Sequence, residues 1–193
     1  MDMKARPILG SVTHIADLGP PPFAVEHAPA DWYQRLDPDK FARYYKFTIV
    51  RNPWDRAVSA YTYLQNGGSA ASSEDAQWAD FVKRFDSFDD FVIRWMSEEN
   101  ILRNALFTPQ VTFLKNQFGE VDMDFVGRFE SLAEDFSQIA SHLGVDRQLP
   151  HLNQSRSTPY QDYYSEASRE RVAELYREDI ERFDCRFEGA AEA

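Results

Sequence analysis

Arg51 and Ser59 stand eight residues apart in Arg51-Asn52-Pro53-Trp54-Asp55-Arg56-Ala57-Val58-Ser59, and both are residue types that hold a phosphate. A guanidinium offers a fork of donors that matches phosphate oxygens, and a hydroxyl adds one more. Between Lys40 and Ala60 the basic groups Lys40, Arg43, Lys46, Arg51 and Arg56 are set against the single acid Asp55, so an anion is the expected guest. The plainer reading of the same spacing is a capped helix whose arginine pairs with a carboxylate, and spacing alone leaves the two level. Proton transfer would fall to a histidine, because its ordinary pKa lies near neutrality. The chain has four: His14, His27, His142 and His151.

The elements that must position these groups are legible on either side of Arg51. Tyr45 to Val50 is a run of strand formers that stops abruptly at Arg51-Asn52-Pro53, which predicts a buried strand. Asn52 is then a natural N-cap, Pro53 suits the first helical position, and Trp54, Val58 and Tyr61 fall on one inward face. A strand, a tight turn and a helix place the guanidinium beside backbone donors at the carboxyl edge of a sheet. Asp122 to Gly127 begins a second unit of the same kind. Its helix is capped by Ser131 with Glu134, carries the stripe Leu132, Phe136, Ile139, Ala140 and Leu143, and stops at Gly144.

The remaining segments are read more simply. Asp31 to Tyr44 predicts one short helix followed by a turn, residues 66–77 a surface loop, and Phe81 to Met96 two helices staggered at Ser87. Gln110 to Phe118 fits neither period clearly. A last amphipathic helix starts near Ser165 and buries Val172, Leu175, Tyr176, Ile180 and Phe183. Residues 1–30, with Gly19-Pro20-Pro21-Pro22, read as an irregular opening, Pro150 to Pro159 as a polar loop, and 189–193 as a frayed tail. Strands alternating with helices in one domain spanning 1–193 give the α/β class.

Composition narrows the functions. With 193 residues, 43% hydrophobic and 15% aromatic, the chain has the material for one core and is not a disordered linker. A net charge of -11 has the wrong sign for coating nucleic acid or an anionic membrane. The charge is uneven, however: residues 1–60 are net +1 and residues 61–193 net -12. Cys185 is the only cysteine, so neither an internal disulfide nor a thiolate zinc site can form, and no metal is expected. No apolar run approaches the roughly 20 residues that cross a bilayer, and Met1 to Thr13 lacks the apolar stretch of a secretory signal. A cytoplasmic setting is the expectation.

The stretch Phe47-Thr48-Ile49-Val50-Arg51-Asn52-Pro53-Trp54-Asp55-Arg56-Ala57-Val58-Ser59-Ala60-Tyr61 resembles the 3′-phosphate-binding segment of the sulfotransferase family that includes the carbohydrate sulfotransferases. Three later stretches are similar to that family's later blocks in order and spacing: Asp124 to Phe136, Leu149-Pro150-His151-Leu152-Asn153-Gln154-Ser155, and Tyr163-Tyr164 with the helix to Asp184. The resemblance implies a P-loop-like α/β fold with a central parallel sheet flanked by helices. It implies the donor 3′-phosphoadenosine 5′-phosphosulfate (PAPS), whose sulfuryl group passes to an acceptor hydroxyl, above all on a saccharide. Arg51 and Ser59 would hold the 3′-phosphate, and Arg128 would point toward nucleotide or acceptor unless it is tied up in an ion pair. His27, in Val25-Glu26-His27-Ala28-Pro29, sits at a position resembling the loop where several carbohydrate sulfotransferases keep a catalytic histidine. His151 ranks second as the base, and Asn153, Ser155 and Arg156 would line the same edge.

The family also opens with a strand and a loop of the type Pro-Lys-x-Gly-x-Thr-Ser that cradles the 5′-phosphosulfate. These 193 residues contain no such block; in Lys4-Ala5-Arg6-Pro7-Ile8-Leu9-Gly10 the lysine and glycine are six residues apart. Two explanations stay open: a chain shortened at its N-terminus, or a protein that has lost half of the donor site. Both predict weak or absent catalysis and an uncovered sheet edge that lowers stability or drives self-association. The rival from another class is a non-catalytic nucleotide- or anion-binding module that acts through a protein partner. A kinase-like reading would need Gly-x-x-x-x-Gly-Lys-Ser/Thr, which the chain lacks.

Overall fold

Short polar side chains set where the helices begin. In a computed structural model, which describes residues 27–69, 72–147, 149 and 158–189, the chain runs through α1 (Ala30–Leu36), α2 (Pro38–Arg43), β1 (Phe47–Val50), α3 (Pro53–Gln65), α4 (Ser73–Val82), α5 (Phe88–Trp95), α6 (Gln110–Leu114), β2 (Phe125–Arg128), α7 (Leu132–Leu143), α8 (Glu166–Leu175) and α9 (Arg177–Arg182). Asp37, Asn52, Ser72, Ser87 and Ser165 each accept a backbone N–H in the first turn of the helix that follows. The two strands pair in parallel, with Phe47 opposite Phe125 and Val50 opposite Arg128. The class is α/β, mostly helical, with a parallel sheet. By packing the chain forms two compact units, Met1–Val50 with Gln110–Pro150, and Arg51–Pro109 with His151–Ala193.

In the first unit the sheet packs against α7. Gly127 is what allows that contact: a Cβ there would stand 2.6 Å from Ile49 Cδ1 and 3.0 Å from Asp135 Cβ. The entry to the strand pair is locked by Lys46 N donating to Asp124 Oδ2 at 2.7 Å and Asp124 N donating to Lys46 O at 2.8 Å. Acids outside the Lys40 to Ala60 window engage two of its cations. Lys40 pairs with Asp37 at 2.8 Å and Lys46 with Asp122 at 3.5 Å, so these lysines serve local structure rather than a shared anion.

The second unit is built on aromatic packing. Tyr61, Leu64, Val82, Phe88, Phe91, Val92, Trp95, Phe107, Val172 and Tyr176 are buried in one cluster drawn from α3, α4, α5, α8 and the turns between. Tyr176 donates its buried hydroxyl to Phe107 O at 2.5 Å, and burial pushes its pKa above the ordinary tyrosine value.

Several expectations are corrected. Asp31 to Tyr44 is two helices, because Pro38 restricts Asp37 before it and Asp37 then caps the second. The loop expected over 66–77 ends early: Ser72 caps α4, and Asp75 Oδ2 closes the connection by accepting from Tyr63 Oη at 2.6 Å and Ser69 N at 2.8 Å. Gln110 to Phe118 contains the short helix α6. The second strand starts at Phe125, since Asp122 and Asp124 are taken up by Lys46. Ser131 makes no side-chain cap; its hydroxyl donates to Asp135 Oδ2 at 2.8 Å instead. The final helix breaks at Tyr176, and its capping box uses Ser165 with Ser168. Phe81 to Met96 holds one whole helix, α5, since α4 runs from Ser73 and ends at Val82 and Phe85 lies in the turn between. The break at Ser87 and the stop of α7 at Gly144, in the left-handed conformation with φ 67°, are as predicted. Most of the opening, the Pro150 to Pro159 loop and the tail lies outside the described residues.

Candidate functional site

Arg51 and Ser59 meet. Asp55 and Ser59 are one turn apart and therefore share a face of α3, and the Arg51 side chain lies along that face from its position just before the N-cap. Its Nη1 donates to Ser59 Oγ at 2.9 Å, and its Nε donates to Asp55 Oδ2 at 2.5 Å. The arginine and aspartate side chains are 19% and 13% exposed, sheltered enough for charge-assisted hydrogen bonds to be strong yet open enough to be reached. Among the described residues Ser59 accepts from Arg51 and donates to none. Its proton is therefore available for an anion oxygen. Guanidinium edge and hydroxyl proton together offer donors that suit a phosphate.

Asn52 fixes the start of that helix from both sides. Its Oδ1 accepts from Trp54 N at 3.1 Å, and its Nδ2 donates to Arg186 O at 2.7 Å. Tyr164 Oη donates to Trp54 O at 2.9 Å, Trp54 Nε1 donates to Arg169 O at 3.1 Å, and Phe187 packs edge-on against Trp54. The segment after α9 is thus stapled to the turn that carries Arg51. Arg56, counted with the basic groups in the sequence, donates instead to Thr108 O at 2.8 Å and Ala105 O at 2.9 Å. Burial pushes its pKa down from the usual arginine value, against the opposing pull of Tyr176 and Asp179.

Arg128 belongs to the first unit, at the end of β2. Its backbone N–H donates to Asp135 Oδ2 at 2.6 Å, while its side chain is exposed and has no ion pair among the described residues. His27 is also in the first unit and is exposed, three residues ahead of α1. His142 stacks on Tyr45 with ring centroids 3.8 Å apart, a packing role in the last turn of α7. His14, His151, Asn153, Ser155 and Arg156 lie outside the described residues. Two contributors escaped the sequence reading. The pairing of Arg51 with Asp55 at the start of a capped helix is what the plainer reading of the spacing expected, although that reading did not name Asp55 as the carboxylate. Nothing local indicates that Asn52 also binds Arg186.

Residues 24–186 match the profile of the sulfotransferase family. The chain belongs to that family. A mouse sulfotransferase, carbohydrate sulfotransferase 12, is 27% identical over 172 residues, covering 75% of this chain and 41% of its own length. An uncharacterized protein of Archaeoglobus fulgidus is 29% identical over 115 residues, covering 60% of this chain and 80% of its own. The chain thus spans about two fifths of the mouse sulfotransferase. No solved structure matches it. Among the described residues of this family member, no helix is long and apolar enough to cross a membrane, and no group of three or more His, Cys, Asp or Glu could hold a metal ion.

Proposed function

We propose that this chain binds PAPS through Arg51 and Ser59 and takes part in moving its sulfuryl group to a hydroxyl of a saccharide. The observation that carries the reading is the 2.9 Å contact between Arg51 Nη1 and Ser59 Oγ inside the segment that resembles the family's 3′-phosphate site. In the transfer, the bond from sulfur to the donor's phosphate oxygen breaks, a bond from sulfur to the acceptor oxygen forms, and the acceptor's proton must leave. His27 is the proposed acceptor of that proton, supported by its resemblance-derived position and its exposure. Arg128, exposed at a strand end, is proposed to meet nucleotide or acceptor. The saccharide is supported by the likeness to mouse carbohydrate sulfotransferase 12.

Calorimetric titration with 3′-phosphoadenosine 5′-phosphate tests the donor site. Micromolar binding is expected, and Arg51→Ala should weaken it about ten- to hundredfold, since a charge-assisted contact is worth about 1.5–3 kcal/mol. Unchanged affinity in that variant would remove Arg51 from the site.

His27→Ala gives a different expected result: loss of sulfuryl transfer from labelled PAPS to a panel of oligosaccharides, with nucleotide affinity retained. Nucleotide binding by a chain that transfers nothing to any acceptor would favour the non-catalytic module.

A further inference from the structure

We propose that Asp55 is the positioning residue of the phosphate clamp: its carboxylate holds Arg51 by Nε, so that the Nη edge and the Ser59 hydroxyl are presented together. The proposal rests on the reading of Arg51 and Ser59 as phosphate ligands. Arg51 reaches both partners with adjacent nitrogens of one rigid plane, Nε to Asp55 Oδ2 at 2.5 Å and Nη1 to Ser59 Oγ at 2.9 Å. Two contacts on one planar group leave it no free rotation. Asp55 itself stands in the first turn of α3, where the helix dipole favours a carboxylate, and only 13% of its side chain is exposed.

Charge alone would argue against a carboxylate here. One guanidinium and one carboxylate make a nearly neutral pair, and an arriving phosphate is repelled by Asp55. The carboxylate can therefore help binding only through geometry, by removing the conformational freedom that Arg51 would otherwise lose when the anion arrives. Positioning and charge then predict opposite signs for the same substitution.

Asp55→Ala removes both the acceptor and the charge, whereas Asp55→Asn keeps an acceptor for Nε and removes the charge. Positioning predicts that Asp55→Ala binds 3′-phosphoadenosine 5′-phosphate about tenfold more weakly, while Asp55→Asn stays within about threefold of the wild type or binds more tightly. A merely structural role would instead lower the melting temperature and the affinity of both variants together. The second readout is the Nε–H resonance of Arg51 in the ligand-free chain, assigned by its loss in Arg51→Lys. It should be protected from exchange in wild type and Asp55→Asn and unprotected in Asp55→Ala. Wild-type binding with equal or tighter binding by Asp55→Ala overturns the proposal and leaves the site reading standing; failure of the wild type to bind overturns both.

Discussion

Phe91→Ala is expected to lower the unfolding free energy by about 3–5 kcal/mol, the range for truncating a fully buried phenylalanine. The ring has 0% exposure and sits at the meeting point of the second unit's aromatics. It stacks on Trp95 with centroids 4.8 Å apart, and Phe85, Tyr61 and Phe107 surround it at 5.2, 5.3 and 5.3 Å. These neighbours cannot collapse into the void, because each is held elsewhere: Tyr61 against Phe88, and Trp95 against Trp78, Phe81 and Phe107. The loss should therefore include most of the cavity cost as well as the lost transfer energy. Phe91→Leu, which keeps much of the volume, should lose far less. Urea titration followed by tryptophan fluorescence measures both, and a loss below about 1 kcal/mol for the alanine variant would mean that the core is not organised around this ring.

The aromatic core was visible in the sequence as a helical period, yet the period did not say which rings would meet. Phe88, Phe91 and Trp95 announce the helix capped by Ser87, because apolar spacing and a capping serine are local signals, whereas Phe85 falls in a turn that the same period would have made helical. The segment Phe47 to Ser59 was legible in its cap, first-position proline and inward face, all lying within fifteen residues, but the strand expected to be buried buries only Val50 and leaves Phe47 exposed. What could not be read are bonds between distant residues. Asp124 is committed to Lys46, 78 residues away, and so the second strand starts later than its composition suggests. The five cations between Lys40 and Ala60 looked like one anion site because their counter-charges, such as Asp37 and Asp122, lie outside the window. Tyr176 breaks the last helix where its hydroxyl is fixed to Phe107, and no pattern of period 3.6 encodes that.

Arg56→Ala is expected to cost about 3–5 kcal/mol of stability, the loss typical of removing one side of a buried charge arrangement. Its two nitrogens satisfy the carbonyls of Thr108 and Ala105, and its charge acts on Asp179, which has 0% exposure. Without the guanidinium, the carbonyls lose strong donors and the buried carboxylate loses a stabilising cation. Arg56→Lys should fall between wild type and alanine, because an ammonium keeps the charge but not the fork that spans both carbonyls. Calorimetric or urea melts of the three chains order them. The same variants separate the two arginines of one segment. If Arg56 were a phosphate ligand, Arg56→Lys would weaken the binding of 3′-phosphoadenosine 5′-phosphate at unchanged stability. The geometry requires the reverse, a less stable chain that binds normally while folded, whereas Arg51→Ala binds poorly even where it is folded.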